Sequence, residues 1–315
     1  MTLQSLAKAL LFVALLAPAT ATAQHVSLPP VDLGDTSFQD GVGGPGVLLQ
    51  EILDSSYSGR LNGPHGEKLP GNNSIQASAS VSELGYQTNK KFFGAFYGVE
   101  ALLPVVHADV KTDLGVRGAS GAMGDFIFSP LLLQWTGGKL FGKPISHRFD
   151  ADFIFPTGRY SPNSSVNIGS HLVSANPNYA FTLFLAPRLE TSWRFHYLWN
   201  SRNDDPAPVF KASSIQPGQA VHLNAALSYQ VNSRLRAGIA GYYLKQITDP
   251  KVDGRTVFNA REQVGAIGPG LVVSTRPFDL YLHTFFEMGA ENRPQGLKVV
   301  VRIFKVFPYN SAANH

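Results

Sequence analysis

Ionisable side chains stand two residues apart at Arg148, Asp150 and Asp152, and again at Arg188, Glu190, Arg194 and His196, where Ser192 fills the gap. On an extended chain alternate residues share one face, so each run lines up acids and bases side by side. Glu100, Arg234, Arg236, Asp279, His283, Glu287 and Arg302 extend the pattern elsewhere. Two kinds of chemistry fit such faces. Opposite charges on neighbouring strands can knit an interior together, or they can line a polar permeation path; their mixed sign is unlike the one-signed ring of an ion-selective pore. Both readings stay open at this stage.

Other chemistries find less support. A hydrolase nucleophile needs a base within hydrogen-bond reach, which on one strand would read His-x-Ser, and the only such run is His25-Val26-Ser27, outside any strand pattern. Pairing across strands keeps a lipid-hydrolysing enzyme open as an alternative. Asp204 and Asp205 in the RNDDP run offer far fewer oxygens than the 6 to 8 that calcium takes. The chain has no cysteine, which excludes disulfides and thiolate metal sites. No metal or cofactor is expected. A net charge of +4 over 315 residues, without a basic block, argues against a nucleic-acid partner.

The elements that must carry these faces are β-strands. In residues 188–200 Leu189, Thr191, Trp193, Phe195, Tyr197 and Trp199 alternate with Arg188, Glu190, Ser192, Arg194, His196 and Asn200, a period of two. The alternation recurs in SIQASASVS, where Ile75, Ala77, Ala79 and Val81 share a face, and in FFGAFYGVEALLPVV, where Tyr97, Val99, Ala101, Leu103 and Val105 oppose Glu100. It returns in ISHRFDADFIF, AVHLNAALSYQV, SRLRAGIAGYY, FDLYLHTFFEM and LKVVVRIFKVF, and more weakly at 46–58, 123–136, 178–186 and 262–274. About twelve strands result, near the length a tilted membrane-crossing strand needs. Tight connections at 185–187, 231–233 and 275–277 alternate with long ones at 60–73, 107–122, 156–177, 201–217 and 248–261, the asymmetry of an outer-membrane barrel.

The expected fold is therefore all-β, a transmembrane antiparallel up-and-down barrel, because a closed barrel is the one β arrangement that leaves no unpaired backbone in hydrocarbon. A soluble β-sandwich would also alternate, but it rarely repeats so many long strands with ions on the second face. Trp193, Tyr197 and Trp199 suit interfacial girdles, with the charged positions facing the lumen. Four segments follow: a signal peptide over 1–23, with Lys8, a short apolar run and Ala21-Thr22-Ala23 before Gln24; an irregular leader or plug over 24–45; the barrel over 46–307; and a tail over 308–315. Asp125, Pro104, Pro130, Pro269 and the Gly-Pro-Gly at 268–270 mark bends or bulges. The three prolines are also candidates for a lateral opening.

GAMGDFIFSPLLLQW, FIFPTGRYSPNSSVNIGS, FHYLWNSRNDDP, IQPGQAVHLNAALSY and GYYLKQITD, together with LGDTSFQDGVGGPG and REQVGAIGPG, resemble the family of outer-membrane proteins of meta-pathway phenol degradation, which includes sphingosine-responsive members. The likeness spans nearly all of the chain after residue 23. It implies an outer-membrane barrel linked to uptake of an aromatic or other hydrophobic compound, and carries no catalytic residues with it. The expected partners are outer-membrane lipid, the solute and the barrel-assembly machinery, whose signal would be read at Val306-Phe307. Long loops around Tyr160, Trp199 and Phe210 are expected to collect the solute. The alternatives are a membrane-embedded enzyme and a structural barrel with its lumen closed.

Overall fold

The computed structural model describes residues 26–113, 116–275 and 277–309. The expected signal peptide lies outside the described residues, as do His25 and residues 310–315 of the tail. Twelve antiparallel staves close into one barrel. In chain order these are β1 (Gly46–Leu61), β2 (Asn73–Phe92), β3 (Ala95–Thr112), β4 (Arg117–Met123, continued by Phe126–Trp135) and β5 (Lys143–Asp150, continued by Phe153–Phe155). β6 (Ser174–Ala175, continued by Asn178–Ala186), β7 (Leu189–Asn200), β8 (Ala220–Gln230) and β9 (Leu235–Gln246) follow, then β10 (Gln263–Ser274), β11 (Asp279–Glu291) and β12 (Pro294–Pro308). Closure is made where Ile52 of β1 faces Val81 of β2 on one side and Arg302 of β12 on the other. With no free edge, every stave finds partners on both sides. No helix of the described residues is long and apolar enough to cross a membrane; the strands do so, and the protein belongs in the outer membrane.

Three neighbouring staves are broken, β5 and β6 side by side and β4 further towards the extracellular rim. β4 is interrupted at Gly124-Asp125, β5 at Ala151-Asp152 and β6 at Asn176-Pro177, and beyond its break Phe153–Phe155 of β5 pairs with Ser174–Ala175 of β6 and with Phe126–Phe128 of β4. Single bonds bridge the gaps: Gly124 N to Pro104 O at 2.8 Å, Ala151 N to Leu131 O at 3.0 Å and Asn176 N to Asp152 O at 2.8 Å. Pro104, which has no N–H to give, lies between the pairs Leu102–Ile127 and Val105–Met123, opposite the break in β4. Pro130 lies beside the register shift between Gly98 and Glu100. Pro269 sits far from both, on β10 opposite Ile239.

The turns fall on two rims. Ala186 to Leu189, Gln230 to Leu235 and Ser274 to Asp279 are tight and share a rim with the barrel's ends at Gly46 and Pro308, which is the periplasmic side of such barrels. On the other rim the loops are long and locked together. Ile215–Gln216, Lys251–Val252 and Arg255–Thr256 form a small sheet, and the Tyr160 hydroxyl donates to Asp205 O at 2.7 Å. One expected loop is not a loop. Residues 107–112 and 117–122 continue β3 and β4, paired from Val105–Met123 to Lys111–Arg117. Their Asp, Lys, Gly and Ser content reads as a connection, but backbone pairing with β2 carries the ladder outward.

The faces also divide unevenly. On β7 the inward residues are Glu190, Ser192, Arg194, His196 and Leu198, all buried, and Phe195, Tyr197 and Trp199 face out. On β2 the apolar residues of the SIQASASVS run point the other way. Ala79 and Val81 line the interior with Glu83 and Gln87, while Ser80, Ser82 and Leu84 face out.

Candidate functional site

Residues 26–45 form no regular element, so their backbone groups need partners from elsewhere, and inward side chains of the staves supply them. Leu28 N donates to Glu262 Oε1 at 2.8 Å, Gly34 N to Asn224 Oδ1 at 2.9 Å and Gly41 N to Thr182 Oγ1 at 3.0 Å. Gly41 O accepts from Gln134 Nε2 and Ser146 Oγ. The segment thus runs through the lumen, burying Val26, Leu28, Leu33 and Phe38. Two of its glycines are there for room. Gly34 has a φ of +83°, and a Cβ on it would fall 2.7 Å from the Phe285 ring; one on Gly41 would fall 2.5 Å from Thr182 N. Left-handed backbone and close approach are both glycine's uses.

Charge fixes the segment at two points. Asp40 takes a two-pronged contact from Arg194, Nε at 2.8 Å and Nη2 at 2.7 Å. The Arg194 guanidinium also lies 3.7 Å from Asp150, which Arg148 contacts at 3.0 Å. Lys298 donates to Leu33 O and Asp35 at 2.8 Å each and meets Asp54 of β1; Arg302 donates to Asp35 O at 3.0 Å. Burial alone would raise the Asp40 carboxyl, but Arg194, with Arg148 and Arg302 behind it, brings it below the usual carboxylate range. Asp35 goes the other way: burial outweighs Lys298 and, with Asp54 and Asp32 nearby, pushes it up to about 7.

Most of the charged residues singled out in the sequence converge on this interior. Glu100, Asp150, Arg194, His196 and Arg302 are buried, and Arg148 and Asp152 nearly so. Glu190 and Arg236 form a second group with Ser192, Ser228 and the backbone N–H of Gln39. Glu287 binds the Tyr242 hydroxyl and Gly296 N towards the extracellular end, and Asp279 lies at the periplasmic end of β11. Arg188 and Arg234 do not join them. Both are exposed in tight turns, because the strand period runs one or two residues short there. Trp199 lies on the outer face of β7 rather than in a loop. Asp204 is paired by Arg202 in an exposed loop, and no group of three metal-ligating side chains occurs among the described residues.

Several interior residues had weak signals in the sequence. Asp35, Asp40 and Glu262 act through contacts that no local period reveals. Glu83 had one: it shares parity with Ala79 and Val81, so the apolar face of β2 also carries a carboxylate. His196 and His222 stack with centroids 4.0 Å apart, tied together by Asn176.

Between the leader and the wall lies a cavity of about 290 Å³. Its apolar side is built from Ile52, Val81, Leu102, Ile127 and Ile154, and its polar side from Glu83, Glu100, Asp152 and Arg302. Glu100 Oε2, Asp152 Oδ1 and Arg302 Nε have no protein partner. Gly124, Asp125 and Pro104 border the same space, so it abuts the broken staves. Asp125 accepts Gly158 N and Ser170 N, binding the loop after β5 to the break.

The barrel is similar to the COG4313 outer membrane channel from Pseudomonas putida F1, with a TM-score of 0.75 at 16% identity, covering 88% of this chain and 100% of that one. It is less similar to the transport unit of the autotransporter AIDA-I from Escherichia coli, with a TM-score of 0.49, 11% identity and 84% and 90% of the two chains covered. No curated protein matches in sequence. The family model described as "Putative MetA-pathway of phenol degradation" matches residues 58–303, from the end of β1 to the end of β12, and the chain belongs to that family.

Proposed function

We propose that this barrel is a passive outer-membrane channel for a hydrophobic or aromatic small molecule, with the leader as a movable plug. The observation that carries the reading is the cavity beside the leader, where apolar side chains of β1 to β5 lie next to Glu100, Asp152 and Arg302, each with an unpaired polar atom. Such a space suits an apolar body with a hydrogen-bonding end, and pockets of this mixed kind bind small molecules. The breaks in β4, β5 and β6 beside Pro104 and Pro130 support an exit through the wall into lipid; Pro269 lies away from them. Conduction needs binding weak enough to release the solute, which a largely apolar contact provides. The likeness to an outer membrane channel and the family's link to phenol degradation favour a conduit over an enzyme.

The test is the initial uptake rate of radiolabelled phenol and of a long-chain sphingoid or fatty compound, in cells lacking the gene and in complemented cells. Restored uptake of one compound identifies its class. Equal rates for both in both strains would contradict the transport reading for these solutes.

A further inference from the structure

Glu51 lies on the outside of the barrel. On β1 Gln50 and Ile52 are buried towards the lumen, whereas Leu49, Leu53 and Tyr57 are exposed outward, and Glu51 shares their parity. Its depth follows from its neighbours. Val47 pairs with Tyr86 and Phe307, an aromatic level at the periplasmic end, and Tyr57 marks the other end. Glu51 is roughly 13 Å along the strand from the first and roughly 20 Å from the second, at about 3.3 Å per residue. Strand tilt shortens both distances, so this carboxylate faces the hydrocarbon well inside the bilayer, where a lipid-facing charge costs most.

Its own chain solvates it without neutralising it. Ser80 Oγ and Ser82 Oγ donate to its two oxygens. Lys305, the outward residue paired with Leu49 on β12, is the adjacent cation on this face. It turns away, its ammonium 4.6 Å from the centre of the Phe307 ring. Neither group forms an ion pair among the described residues. A groove of about 570 Å³ opens between them, lined by Glu51, Ser82, Leu84, Leu103, Ile303 and Lys305.

We propose that this wall is an interface between two copies of the chain, with Glu51 of each copy paired to Lys305 of the other. A two-fold axis along the membrane normal brings one patch onto itself, so a patch with one acid and one base forms both ion pairs at once. Charges within a membrane pair with one another, and the long lysine stem lets the ammonium swing off Phe307. Ser78, Ser80, Ser82 and Ala101 are small and let the walls approach closely, the role such residues play between membrane segments.

The chain has no cysteine, so a single introduced one reports only contacts between chains. In isolated outer membranes under mild oxidation, L49C, outward on β1 beside Lys305 and next to the two-fold axis, should give a disulfide-linked species of twice the monomer mass, and L227C, on the lipid face of β8, should stay monomeric. In the L49C background, E51Q or K305Q should weaken the link several-fold, and E51K or K305E alone should abolish it. Heat-modifiable gel mobility checks that each variant is inserted. Co-expressed E51K and K305E chains should restore the link, because each then meets its opposite. The proposal is overturned if L49C links no better than L227C, if L49C links to a protein of another mass, or if the charge variants leave the link unchanged.

Discussion

On β7 and β8 the inward side chains include Glu190, Arg194, His196, His222 and Asn224, while Phe195, Tyr197, Val221 and Leu227 face out. On β1 to β3 the inward set includes Ile52, Val81 and Leu102, and the outward set includes Glu51, Ser80 and Ser82. Both walls alternate with the same period. The first holds the leader by charge, and the second faces it across the cavity with these apolar side chains beside Glu83 and Glu100. Alternation alone therefore says that a strand has two faces and leaves open which face meets lipid.

The largest effect should come from the charged wall. R194A would leave Asp40 and Asp150 buried without their shared guanidinium, and breaking a buried pair typically costs about 3–5 kcal/mol. The leader should detach, seen as rapid proteolysis of residues 26–45 in inserted protein and a rise in single-channel conductance. The apolar wall should respond to charge instead. V81D places a carboxylate on the cavity's apolar side and should weaken solute binding by about tenfold, on the order of 1.4 kcal/mol, with heat-modifiable mobility unchanged. Replacing both Arg148 and Asp150 should alter permeation if they line the path, and only thermal stability if they are purely structural.

Protons should act on the leader in two opposite ways. Asp35 is raised to about 7, so seating the leader takes up a proton. That contribution is complete below the ordinary carboxylate value of 3.8 and is lost as pH rises through about 7. Asp40 is lowered from 3.8, so its contribution is present above that value and is lost as pH falls below it. Leader proteolysis should therefore be slowest in mild acid and faster on either side. D35N should flatten the alkaline arm and D40N should remove the acid arm. The smallest effect belongs to the exposed turn residues: R188Q and R234Q should change stability by less than about 0.5 kcal/mol in denaturant titration.

The strands were legible because a period of two is a local property, and their number followed from counting apolar runs between turns. The break at Gly124-Asp125 showed as a bend for the same reason. What the sequence withheld depends on contacts between distant residues. The leader's path is set by Asn224, Thr182, Arg194 and Lys298, each well over a hundred residues away from its partner, and its composition reads only as irregular. The inward turn of Ala79 and Val81 could be told from lipid-facing positions only through Glu83 at the same parity. Residues 107–122 looked like a loop because polar strand ends beyond the hydrocarbon have a loop's composition.

The account stands on the claim that solute occupies the lumen between the leader and the apolar wall. The most direct test uses the single-cysteine variants V81C, facing the cavity, and L227C, facing lipid, and follows their rate of alkylation by a small aromatic maleimide in outer membranes. Saturating solute, whichever of phenol and the long-chain compound shows uptake, should slow modification of V81C several-fold and leave L227C unchanged. Equal rates at V81C with and without solute would contradict it.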